Sequence, residues 1–305
     1  MTYDCTRLDN QAKQLFQEER AISRLDGWFI VREQILAYER DHQEQHPMIR
    51  SSNALISALK ILPISVSENA VFVGTQRDAF AQSYALINPN FKVSTFNGYC
   101  DPTAVFNDIE PNAQFTKERI DNVRTQTKHT DYVKTLSKVY HYVHIYTKVV
   151  AYFIEQVISH IIPDFRLALK MGINQLQEEI KQLNQNETDE QKKIARQAMS
   201  ISLDGVKILI SRYLDIVKEQ LKLANQDRKA DLIRIIDSLE NVCHFGARNL
   251  FDAIQLFILL WQVMCLEQAP NPFAFSVGNA DRIFEPYRQK ENLSREETAC
   301  LLKHF

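Results

Sequence analysis

Glycine is scarce in this chain: seven residues in 305, about a third of the usual share. A turn-rich all-β protein needs far more, so the shortage favours helices. Neither sign of charge dominates, since 36 lysines and arginines face 38 aspartates and glutamates for a net charge of -2. Without an overall basic field, nucleic acid and anionic membranes are not expected partners. Only five cysteines are present, Cys5, Cys100, Cys243, Cys265 and Cys300. Their scatter, with no C-x-x-C pair and no zinc spacing, reads as reduced and mostly buried thiols. Long apolar runs are missing too. The most hydrophobic stretch, AIQLFILLWQVMCL from Ala253 to Leu266, carries two glutamines and has about 14 residues where a bilayer span takes about 20. It is expected to be a buried helix. The opening MTYDCTRLDNQAKQLFQEER lacks the apolar core of a secretory signal, which points to the cytoplasm.

What is there is mostly helical periodicity. GWFIVREQILAYERDHQE, Gly27 to Glu44, places Ile30, Ile35, Leu36 and Tyr38 near helical spacing among charges, and His46-Pro47 stops it. A second helix is expected over SSNALISALKILP, from Ser51 to Pro63. The period then changes. ISVSENAVFVG alternates Ile64, Val66, Val71 and Val73 around Glu68-Asn69, the pattern of a short β-hairpin ended by Gly74. Asn88 to Asn112 holds three prolines and many asparagines and aspartates, a long irregular loop. Helices are expected over Asp131 to Ile162, Pro163 to Lys181, Thr188 to Leu223, Asp227 to Val242, Arg248 to Glu267 and Ser294 to His304. Capping boxes are expected at Thr188 with Gln191 and at Ser294 with Glu297. The fold class read from this pattern is mainly α with a short β-hairpin.

Candidate chemistry is sparse. His141 and His144 stand three apart on one predicted helix, but no third ligand at matching spacing accompanies them, and packed amphipathic aromatics explain them more simply. His160 sits in VISHIIPDF, inside an apolar run with Pro163 and Asp164 behind it. The proline breaks the helix, so His160 and Asp164 need not share a face. His160 then caps the end of one helix, and Pro163 opens the next at its first turn. No Ser-His-Asp order, phosphate-binding glycine loop or paired carboxylate site is present.

Four segments, in order, carry a family resemblance: HPMIRSSNALISALKILPISVSENAVFVGTQ, SHIIPDFRLALKMGINQLQEEI, RYLDIVKEQLKLANQDRKADLIRIIDSLENV, and the stretch from Ala247 to Phe305 with SVGNADRIFEPYR at its centre. Together they resemble the N-terminal part of glycyl radical enzymes of the pyruvate formate-lyase superfamily, in the dehydratase, decarboxylase and C–N lyase branch. The resemblance implies the helical N-terminal part of an α/β barrel enzyme, in which a glycine stores the radical and a cysteine carries the thiyl that abstracts hydrogen from substrate. Neither the G-C-x-E loop nor the R-V-x-G-Y loop of the family occurs in these residues. Residues 1–305 are therefore expected to form an incomplete N-terminal pyruvate formate-lyase-like domain, inactive alone, with no catalytic residue, metal or cofactor of its own. The glycyl radical would be installed elsewhere by a radical S-adenosylmethionine activating enzyme, in a homodimer working in an anaerobic cytoplasm. A non-catalytic helical binding or scaffold protein derived from that family is the other reading.

Residue by residue, His160 matches the histidine of the family's G-H-x-x-P-D-Y motif, which implies a contact to a substrate hydroxyl. Ser159 replaces the motif's glycine and Phe165 its tyrosine. Phe273 and Ala274 stand where polyol dehydratases place histidine and serine. A pocket that has lost such donors discriminates against small polyols, so the substrate expected near Phe273 has apolar or aromatic character. Asn279 and Arg282 replace an arginine and a glutamine of the family pattern.

Overall fold

The computed structural model describes residues 3–20, 27–74, 116–128, 134–135, 138–139, 141–142, 162–267 and 276–305. The regular elements among the described residues are helices: α1 (Cys5–Arg20), α2 (Gly27–Asp41), α3 (Pro47–Ile61), α4 (Lys117–Lys128), α5 (Phe165–Gln185), α6 (Glu190–Leu223), α7 (Gln226–Val242), α8 (Leu250–Glu267), α9 (Ala280–Glu291) and α10 (Arg295–Leu302). The proposed loop over Asn88 to Asn112 lies outside the described residues, as does most of the helix expected over Asp131 to Ile162.

Side-chain caps decide where these helices begin. Pro47, expected to end α2, instead opens α3, with the His46 side chain accepting from the Met48 amide at 3.4 Å. Asp164 caps α5 by accepting from the Leu167 amide at 3.3 Å, so Pro163 precedes the cap and does not start the helix. Asp189, not Thr188, caps α6 through the Gln191 and Lys192 amides. The expected capping box of Ser294 and Glu297 is present at α10. Helices α1 and α9 escape the periodicity reading. The first has few apolar residues, and the second contains Pro286, which reads as a breaker.

The core forms around α6, which packs on α3, α5, α7 and α8. Leu209, Ile210, Tyr213 and Val217 of α6 have no exposed surface. Helix α8 is the buried apolar helix expected from its composition: Ala253, Ile254, Leu256 and Leu259 are fully enclosed, and so are Gln255 and Gln262. Helix α5 bends at Gly172, whose φ of 72° and ψ of 174° leave the helical region. A Cβ there would lie 2.1 Å from the Phe245 carbonyl carbon. The two backbones cross so closely that the Ala247 amide donates to Leu169 O at 2.8 Å and the Asn174 amide to His244 O at 3.0 Å.

The hairpin expected over Ile64 to Gly74 is not formed; residues 62–74 run as an irregular segment with a turn at 68–69. Ala70, Val71, Phe72 and Val73 are all buried in succession, whereas a surface hairpin would bury alternate residues. Buried backbone groups still need partners, and here helical side chains supply them. Arg212 donates to Leu59 O and Leu62 O, Gln220 to Val66 O, and Arg228 to Ser67 O and Ala70 O. Gln255 engages Val73 on both sides: its Oε1 accepts from the amide at 3.0 Å and its Nε2 donates to the carbonyl at 2.9 Å. Glu18 of α1 accepts from the Ser67 hydroxyl and the Asn69 amide group.

Helix α1 closes the fold against α7 and α10. Arg7 forks onto the buried Asp231 carboxylate, which Gln11 also meets at 2.9 Å. Burial pushes Asp231 upward, but the bonds from Arg7 and Gln11 and the charges of Arg7 and Arg228 hold it below the usual carboxylate range. Lys303 pairs with Asp9. Cys5 and Cys300, read from sequence as reduced thiols, are instead paired as a disulfide with Cα atoms 5.6 Å apart; residues 295 apart in sequence meet because α1 lies along α10.

Replacing Gln255 by leucine would orphan both backbone groups of Val73, at about 1–3 kcal/mol for each buried group left without a partner. Urea unfolding of Gln255→Leu should show a midpoint lowered by that cost at unchanged slope; a variant as stable as the parent would contradict the assignment.

Candidate functional site

A groove of about 440 Å³ opens between α1, α8 and the end of the irregular segment, within the size range of small-molecule sites. Phe257, Ile258 and Trp261 of α8 form its floor, Phe72, Val73 and Gly74 one side, and Ala12, Leu15 and Phe16 of α1 another. Val277 and the run Lys303, His304 and Phe305 complete the rim. The Gln255 clamp on Val73 fixes the backbone wall, because it holds the segment one residue before Gly74.

An aromatic cluster underlies the floor. Phe257 meets Phe165 edge-on at 4.6 Å between ring centroids and Phe305 at 5.2 Å, and Phe284 meets Phe305 at 5.3 Å. Such edge contacts are the favoured arrangement of aromatic pairs. Phe165 is buried to 2% exposure. A phenylalanine in place of the motif's tyrosine therefore completes an apolar cluster in which a hydroxyl would need a partner of its own.

Polar groups on the rim are few. Lys303 is committed to Asp9, with both carboxylate oxygens at 2.6 Å. Burial pushes the His304 imidazole below its ordinary pKa, against the opposing pull of the Leu8 carbonyl and of Asp231 and Asp9. The neutral ring sits with Nε2 2.9 Å from Leu8 O. A carbonyl can only accept, so Nε2 carries the proton and Nδ1 is left as an acceptor. The side chains that line the groove are mostly apolar, and its Lys303 and His304 are engaged by Asp9 and Leu8.

His160 and Phe273, the two residues expected to meet substrate, lie outside the described residues, together with Ser159, Ala274 and His144. Their described neighbours do come together. A Cβ on Gly278 would lie 2.8 Å from Cγ2 of Ile162, and Gly278 has a φ of 78°. Two residues after His160 and five after Phe273, the chain thus passes in direct contact, beside the groove residue Val277. Asn279 and Arg282, which depart from the family pattern, are both exposed, and Asn279 makes no side-chain cap to α9. His141 is exposed as well. Among the described residues no three His, Cys, Asp or Glu side chains cluster to hold a metal, and no helix is long and apolar enough to cross a membrane.

The sequence reading missed Phe257, Trp261 and His304 as groove residues. For the first two a signal existed: they stand four apart on the most apolar helix, and one face of it must look outward if a groove is to form. His304 carried none, since its place depends on α1 lying beside α10.

The family model for pyruvate formate lyase-like proteins matches residues 4–305. No curated protein sequence matches the chain. Among solved structures, the glycerol-bound B12-independent glycerol dehydratase from Clostridium butyricum superposes with a TM-score of 0.71 at 16% identity, over 98% of this chain and 39% of that one. A structure described for 1,2-propanediol dehydration in Roseburia inulinivorans gives 0.73 at 19% identity, over 100% and 39%. The hydroxyproline dehydratase from Clostridioides difficile gives 0.66 at 16%, over 100% and 40%. These are likenesses of fold, and the chain spans about two fifths of the length of each of these proteins.

The contact of Ile162 with Gly278 can be tested directly. Gly278→Ala should destabilise the protein both by steric overlap with Ile162 and by its positive φ, the latter at roughly 1–2 kcal/mol. Adding Ile162→Ala should recover the steric part only. Strict additivity of the two changes in a double-mutant cycle would show that the two segments do not touch.

Proposed function

Because the chain belongs to the pyruvate formate lyase-like family, we propose that it is the helical N-terminal region of a glycyl radical lyase or decarboxylase. In the complete enzyme a thiyl radical would abstract hydrogen from substrate. The residues that carry radicals in the family are not among these 305, so this chain's share of the work is to bind and orient. The observation that carries the reading is the match over residues 4–305, together with an aromatic groove beside the meeting point of Ile162 and Gly278.

The likeness to two dehydratases and to a structure titled for propanediol dehydration favours a dehydration, the loss of a hydroxyl as water. The substrate differs from a small polyol. Phe273 and Ala274 replace two polar anchors, and the groove that Val277 lines is walled by phenylalanine, tryptophan and aliphatic side chains. His160 would stand at the rim and hydrogen-bond a hydroxyl, while Phe273 packs on the apolar part. The radical would be installed by a radical S-adenosylmethionine activating enzyme, and the working form would be a cytoplasmic homodimer.

The test uses the complete protein, activated anaerobically. A glycyl radical doublet should appear in its electron paramagnetic resonance spectrum, and His160→Ala should lower turnover at least about tenfold, the equivalent of about 1.4 kcal/mol in the barrier, with the melting temperature little changed. No doublet with a competent activase would favour a helical binding or scaffold protein. A doublet with an unchanged rate in His160→Ala would return His160 to a packing role.

A further inference from the structure

The pairing of Cys5 with Cys300 stands apart from the site chemistry and joins the two helices that flank the groove. Helix α1 supplies Ala12, Leu15 and Phe16 to one wall, and the residues just after α10 supply Lys303, His304 and Phe305 to the rim. Leu8 and Leu301 join the same buried core, and polar contacts also tie these walls together. The Tyr3 amide donates to Glu297 at 3.2 Å, Lys303 pairs with Asp9, and His304 donates to Leu8 O. A Cα separation of 5.6 Å is the common distance for a disulfide. Cys300 is buried to 1% exposure, whereas Cys5 is half-buried and open to a reagent.

We propose that Cys5 and Cys300 form a reversible thiol–disulfide clasp that fixes α1 against α10 and so sets the α1 wall of the groove. With a low-molecular-weight disulfide as oxidant, the Cys5 thiolate attacks one sulfur and releases one reagent thiol. The Cys300 thiolate then attacks Cys5 Sγ of the mixed disulfide and releases the second. Two protein thiols are oxidised, one reagent disulfide is reduced to two thiols, and the two protons pass to solvent or to the released thiolates. Cross-linking positions 295 apart removes freedom from the unfolded chain by an amount that grows with the logarithm of the loop closed. Cys243, a free cysteine, has its thiol pushed up by burial, which makes it a slow competitor.

The experiment equilibrates the protein in glutathione buffers from reducing to oxidising, traps free thiols with iodoacetamide, maps cysteine peptides by mass, and follows trypsin cleavage after the exposed Lys13. A Cys5–Cys300 linked peptide should replace the two alkylated ones, and cleavage at Lys13 should slow in step by about tenfold, since cleavage follows the population of the opened helix. Dithiothreitol should reverse both. Cys5→Ser should abolish the response, and Cys243→Ser should keep it. Alkylation of Cys5 and Cys300 at the oxidising end would overturn the proposal, as would a linked form cleaved at the original rate.

Discussion

The exchange of two hydrogen bonds between the Gln255 side chain and the backbone of Val73 is the interaction on which the rest of this structure depends. Residues 70 to 73 are buried one after another, so they cannot take hydrogen bonds from water. Among the described residues they are also not paired in a sheet. Such a segment is stable only if every peptide group finds a partner elsewhere. Arg228 reaches the Ala70 carbonyl and Gln255 both backbone groups of Val73, while Arg212 and Gln220 hold the carbonyls of Leu62 and Val66 just before it. A buried glutamine on the most apolar helix, costly by itself, becomes the group that makes the burial of the segment possible.

That arrangement has a consequence for the groove. Because Gln255 holds Val73 and the neighbouring turn is tied to Glu18 of α1, the irregular segment connects α8, α7 and α1 into one wall. The groove then inherits its apolar character from α8 and its aromatic floor from Phe257 and the rings packed around it. The backbone crossing at Gly172 and the packing of Gly278 on the Ile162 side chain serve the same end, because each brings two distant stretches closer than a Cβ would leave room for. The positions of α5 and of the Ile162 contact are set in this way.

Much of the helical frame was legible in the sequence. The buried α8 and the capping box at Ser294 follow from local chemistry, and the four ordered segments pointed to the family; the bend of α5 at Gly172 did not show in the sequence pattern. The hairpin was misread because Val66, Val71 and Val73 alternate as a strand does, while the side chains that replace its partner strand come from residues 212 to 255. Nothing local records a long-range partner of that kind. The pairing of Cys5 with Cys300 was hidden for the same reason, and Pro286 concealed α9. For the site, the sequence pointed to His160 and Phe273, which lie outside the described residues. The groove itself arises from packing between α1, α8 and α10, which no single stretch encodes.

The most direct measurement is native-state hydrogen exchange at the Val73 amide. If Gln255 Oε1 holds that proton within the core, it should exchange as slowly as the amides of the buried α8 residues Ile254 and Leu259, opening only with the global unfolding of the protein. Exchange at the rate of an unprotected loop amide would show that the segment is not clamped, and the account of the groove wall would fail with it.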